Sequence, residues 1–88
     1  MSKELSEKIA SFYTKDKAHF VTIASWKSIW GPTFEVGLRD LKTGDFVLAA
    51  SHLQSEVKAR SAAKAIGKLA EAGESLKDIE SAFPGLFD

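Results

Sequence analysis

From Pro32 to Lys64 the chain passes without interruption through an alternating segment, a tight turn, a second extended segment and a long alanine-rich stretch. Phe34, Val36 and Leu38 alternate with Thr33, Glu35, Gly37 and Arg39, the period-two pattern of a strand with one buried face. Asp40-Leu41-Lys42-Thr43-Gly44-Asp45 reads as a hairpin connection, and Phe46 to Ala50 as the returning strand. Ser51, with Gln54 three residues on, reads as a capping box opening a helix that runs to about Ala72. Ala59, Ala62, Ala63, Ile66, Leu69 and Ala70 fall on one side of that helix. Their small size lets a helix lie close against a sheet. A chain with this segment must build a sheet and cover one face of it with helix.

The flanking sequence completes the expected architecture. Leu5, Ile9, Phe12 and Tyr13 fall at i, i+4, i+7 and i+8, the spacing of an amphipathic helix with Ser2 as its N-cap. His19 to Lys27 is rich in β-branched and aromatic residues and reads as a strand. Gly31-Pro32 breaks the chain after Trp30. Gly73 is the expected stop of the alanine-rich helix. Ser75 and Asp78 open a short helix over about 75–83, with Leu76, Ile79 and Phe83 as its apolar stripe and Pro84-Gly85 as its end. The expected order is α-β-β-β-α-α, an α+β fold with a three-stranded antiparallel sheet and helices packed on one face. Residues 1–88 form a single domain in this reading, with the core in 2–72. The other sheet face, bearing Thr33, Glu35 and Arg39, meets solvent or a partner.

A length of 88 residues allows one modest core. The apolar share of 44% and charged share of 27% are those of a folded globule rather than a disordered tail. With no cysteine, disulfides and thiolate metal sites are excluded. No apolar run reaches the roughly 20 residues that cross a bilayer. Met1-Ser2-Lys3-Glu4-Leu5 lacks the apolar core of a secretion signal, so a cytoplasmic protein without membrane contact is expected. The formal charge is zero and the pI about 6.7, which argues against a strongly basic nucleic-acid binder. The charge is uneven, however: Lys58, Arg60, Lys64 and Lys68 sit against Glu56 and Glu71, and Glu74, Asp78, Glu80 and Asp88 follow against Lys77.

Residues that could carry catalysis are few. His19 and His52 are far apart and have no paired nucleophile nearby in sequence. Ser61-Ala62-Ala63-Lys64 matches a Ser-x-x-Lys pattern inside a helix, without its companion motifs. Asp40 and Asp45 bracket a turn, where turn chemistry already calls for Asp. Gly31, Gly37 and Gly44 are scattered, not gathered into a phosphate loop. These features point to a chain that is not an enzyme and uses no cofactor or metal.

Three features bear on binding. Arg60, Lys64 and Lys68 recur every four residues and form a basic row that, with Lys58, could track phosphates. Trp26, Ile29 and Trp30 bring two indoles and an isoleucine into the end of a strand and the loop before Gly31-Pro32. They either close the end of the core or form a binding hot spot. Residues 65–79 have the outline of a helix-turn-helix, but the second helix offers Glu74, Asp78 and Glu80, which phosphates repel. An ordinary helical corner is the simpler account.

Pro32-Thr33-Phe34-Glu35-Val36 and Ala59-Arg60-Ser61-Ala62-Ala63 resemble the second-strand and last-helix motifs of the double-stranded RNA-binding domain, over roughly residues 2–72. Trp30-Gly31 and Arg39-Asp40 are similar to segments of the plant-type AP2 and phage-integrase DNA-binding domains. The first resemblance implies an αβββα fold and duplex RNA binding. Where that family carries a Lys-Lys pair this chain has Glu56 and Val57, so only Arg60 and Lys64 carry over as phosphate contacts. Taken together, the sequence points to a small non-enzymatic binding module acting through protein–protein interaction, as adaptors and phage-type inhibitors do. Its expected contact residues are Trp26, Ile29 and Trp30, and it is either a monomer or a homodimer. The alternative is binding of duplex RNA or DNA through Lys58, Arg60, Lys64 and Lys68.

Overall fold

The computed structural model of the chain describes residues 6–27, 29 and 31–87. Four strands, β1 (Ser6–Tyr13), β2 (His19–Trp26), β3 (Thr33–Asp40) and β4 (Phe46–Leu53), precede two helices, α1 (Glu56–Glu71) and α2 (Leu76–Phe87). The strands form one antiparallel sheet in the order β1-β2-β3-β4, so each pairs with its neighbour in sequence. The fold is α+β. The sheet has four strands, not three, and the chain enters it through a strand rather than a helix.

The cause lies in a β-bulge. β1 pairs Lys8 with Ala24 but Ala10 with Ile23, leaving Ile9 as an extra residue. The bulge shifts the side-chain alternation by one, so Ile9 and Ala10 both pack toward the core. Beyond it, Phe12 pairs with core residue Val21, and Tyr13 with Phe20 on the opposite face. Apolar residues at 9, 12 and 13 therefore mimic a helical period while lying in a strand. Ser2 and Leu5, assigned to the expected helix, lie outside the described residues.

Val21 and Ile23 of β2, Phe34, Val36 and Leu38 of β3, and Ala49, Ala50 and Leu53 of β4 form the sheet half of the core. Ala59, Ala62, Ala63, Ile66 and Ala70 of α1 form the helix half. α1 packs over β2 and β3, and α2 packs on β4. Ile79 of α2 is 1% exposed and joins the same core, which therefore extends past residue 72.

The capping box at Ser51 does not form, because β4 continues to Leu53, which pairs with Phe34 and is buried. Burial of Leu53 holds the chain in the sheet for three more residues. The N-cap is Ser55, whose Oγ accepts from the Lys58 backbone N–H at 3.1 Å. At the other end Gly73, with φ of 96°, makes the left-handed stop expected of it. Its N–H donates to the Ala70 carbonyl and the Glu74 N–H to the Leu69 carbonyl, both at 3.1 Å, a Schellman closure. Ser75 caps α2 by accepting from the Asp78 N–H at 3.1 Å. α2 continues through Pro84 to Phe87 instead of ending near residue 83. A proline inside a helix forgoes its own N–H bond and crowds the carbonyl four residues back, which is why the sequence favours an end there.

Gly67 is a helical glycine that a larger residue can replace. A Cβ built there meets the Phe12 ring edge at 3.4 Å and the Thr14 methyl at 3.8 Å, ordinary contact distances. Gly67→Ala will stabilise the fold by about 0.5–1 kcal/mol, the difference in helix propensity. Urea denaturation measures it; a loss of stability would mean that the Phe12 ring cannot yield.

Candidate functional site

Each strand directs alternate residues away from the helices, and on the uncovered face the register lines up one row across all four strands. Tyr13 pairs with Phe20, Phe20 with Arg39, and Arg39 with Phe46. The Tyr13 and Phe20 rings lie 4.7 Å apart between centroids, tilted by 50°. The Arg39 guanidinium sits 5.2 Å from the Phe46 ring centre, and its Nη1 donates to the Gly44 carbonyl at 2.9 Å. Tyr13 is 61% exposed, Phe46 49% and Leu48 39%. Gly37 explains how the Phe46 ring lies down on the sheet. A Cβ at Gly37 would come within 2.5 Å of the ring, so the missing side chain makes the space it occupies.

Trp26 ends β2 on the same uncovered face, opposite Thr33. It is half-buried, and its Nε1 is enclosed without an acceptor among the described residues. Ile29, in the following turn, is 89% exposed. Trp30 lies outside the described residues. Of the expected tryptophan cluster, Trp26 thus belongs to the edge of the sheet face and Ile29 to the surface.

At about 100° per residue, Arg60 lies on the flank of α1 next to Ala63 and Gly67, Lys64 and Lys68 turn progressively outward from it, and Lys58 lies on the other flank. Arg60 pairs with Glu56, Nη2 to Oε2 at 2.7 Å and Nε to Oε2 at 2.8 Å. Lys64 and Lys68 have no carboxylate within ion-pairing distance among the described residues. With Arg60 they border a groove of about 440 Å³ between α1 and β1.

The polar residues singled out for chemistry serve turns. His19 begins β2 and His52 lies near the end of β4, at opposite ends of the sheet, since His19 pairs with Asp40 and Leu53 with Phe34. Asp40 accepts from the Lys42 N–H at 2.8 Å and the Thr43 N–H at 3.3 Å and so closes its own hairpin. In the β1–β2 turn, buried Thr14 donates its hydroxyl to Asp16, which also accepts from the Ala18 N–H at 2.9 Å. The Thr14 hydroxyl, then the Ala18 N–H, hold the Asp16 carboxyl below the usual carboxylate range. The His19 Nδ1 stands 3.7 Å from Asp16 Oδ2. Ser61 and Lys64 are both exposed on α1. Among the described residues no three of His, Asp and Glu gather into a metal-binding group. Among the described residues no helix is long and apolar enough to cross a membrane.

Tyr13, Phe20, Phe46 and Leu48 escaped the sequence reading as surface residues. The spacing of Leu5, Ile9, Phe12 and Tyr13 reads as a helix, and Phe46-Val47-Leu48 does not say which of its alternate residues faces out. A detectable signal was Gly37 inside a strand, which marks a close approach by a ring or backbone. Comparison with family models, curated proteins and solved structures finds no match to this chain.

Proposed function

We propose that this chain is a non-enzymatic binding module that acts by protein–protein contact through its uncovered sheet face. The observation that carries the reading is the cross-strand row Tyr13–Phe20–Arg39–Phe46, in which the Tyr13 and Phe46 rings stay accessible, Phe20 is half-buried, and Leu48 lies exposed beside them. Aromatic and arginine side chains on a flat, rigid support bury much area at little entropic cost, and such residues dominate binding hot spots. Trp26 and Ile29 extend the surface toward one end. Glu35 and Arg39 balance each other in charge on β3, and the Arg39 guanidinium is already engaged by Phe46 and the Gly44 carbonyl. A single strand of nucleic acid stacked on these rings would find few free cations for its phosphates.

The test is the double variant Phe46→Ser/Leu48→Ser, both positions being exposed and outside the core. Affinity enrichment from extract of the cells that encode the chain, read by quantitative mass spectrometry, will recover a defined protein with wild type. The variant, with an unchanged circular dichroism spectrum, will lose about tenfold or more of it, as loss of a hot-spot anchor does. Equal recovery by both forms removes the sheet face from the contact. Anisotropy of a labelled oligonucleotide that rises with wild type and not with the variant assigns the face to bases instead.

A further inference from the structure

The helix layer does not reach across the sheet. α2 takes β4 and α1 takes β2 and β3, which leaves the inner face of β1 beside α1 as the floor of the 440 Å³ groove. Ala10, Phe12 and Ile23 form its apolar floor, and Ala63 and Gly67 its inner wall. Phe12 points toward the helix layer yet is 38% exposed. Lys15, Arg60, Lys64 and Lys68 stand around the rim against a single carboxylate, Glu71. Glu71 is occupied, accepting from the Lys15 backbone N–H at 2.6 Å. Arg60 is answered by Glu56, whereas the ammonium groups of Lys15, Lys64 and Lys68 have no acidic partner among the described residues.

We infer that this groove is the docking site for an acidic amphipathic helix of a partner protein. Geometry selects a helix. Packed helices lie about 8–10 Å apart, roughly two strand spacings, so a third helix laid beside α1 lands over β1. From Arg60 to Lys68 the rim extends about 12 Å, a little over two helical turns. Charge selects an acidic helix, since apolar residues on one side would cover Phe12 and Ala10 while flanking carboxylates meet Lys64 and Lys68. Charge also disfavours a second copy, because a two-fold pairing through β1 would bring two basic rows face to face. A nucleic-acid duplex would meet the lysines and leave the apolar floor uncovered. This surface is separate from the sheet-face contact, and either can fail without the other.

A labelled peptide of about 15 residues, with leucines at i, i+4, i+7 and i+11 and glutamates elsewhere, provides the probe. Its anisotropy will report binding to wild type that weakens with added salt. Lys64→Glu/Lys68→Glu will reduce the affinity about tenfold or more, as reversal of two contact charges implies. The same peptide with lysine for every glutamate will not bind. Amide shifts on titration will centre on Phe12, Ile23 and Gly67. No binding by folded wild type, binding indifferent to the charge reversal, or shifts confined to Phe46 and Leu48 would each overturn the assignment. So would duplex RNA that produces the same shifts and the same loss in the variant, or sodium dodecanoate that displaces the peptide and binds alone with equal dependence on Lys64 and Lys68.

Discussion

Truncation of Leu38 to Ala will cost about 3 kcal/mol of folding stability, within the range for a buried leucine that leaves a cavity. Leu38 is fully buried on β3, with Val21 of β2 and Val47 of β4 directly beside it. Both neighbours are β-branched and held in the ladder, so they cannot swing in to fill the space. A domain of this size has about 4–13 kcal/mol in hand, so the melting temperature will fall by roughly 15 °C. Leu48→Ala is the internal control. It removes the same atoms from the next strand, opposite Gly37, on the uncovered face. It will cost under about 1 kcal/mol, as a half-exposed leucine loses little transfer energy. Thermal melts of the two variants decide which face the helices occupy. Equal costs, or the reverse order, would contradict the layering.

Ala62→Leu is expected to destabilise by about 2 kcal/mol, through crowding rather than loss of contact. Ala62 is fully buried where α1 meets the sheet, in a run of small residues that includes Ala59, Ala63 and Gly67. Leucine is the better-packing residue in most cores, and its helix propensity is close to that of alanine. Its three extra carbons have no space here unless α1 lifts away, which would loosen contacts along the whole helix. Ser61→Leu, one residue away and exposed, will stay within about 0.5 kcal/mol of wild type. Guanidinium denaturation of the pair separates packing from propensity. Two similar values would mean that the alanines do not set the helix-to-sheet distance.

Legibility in the sequence followed how locally each element is determined. β3 could be read because Phe34, Val36 and Leu38 alternate without interruption, and the register shifts against β4 at Phe34/Val36 and Val36/Gly37 leave all three in the core. Gly73 and Ser75 could be read because a left-handed stop and an N-cap depend on a few adjacent atoms. β1 could not, since the bulge at Ile9 is defined only by pairing with β2, which the sequence of β1 alone does not contain. Ser51 misleads as helix cap for a similar reason. Its local motif with Gln54 is plausible, and burial of Leu53 against Phe34, far away in sequence, moves the cap on to Ser55. The basic row was legible as a row, but its place beside an apolar floor depends on how far α1 stops short of β1. Lys15, from a turn distant in sequence, joins the same rim only in three dimensions.

Every open sheet has a last strand whose backbone groups could recruit a stranger. In β1 the extra residue at Ile9 interrupts the straight ladder that a second chain would need for continuous pairing, and exposed Glu7 and Lys8 put charge just before the kink. The same irregularity that disguised the strand thus guards it against runaway edge-to-edge growth, at a border that neither helix shields.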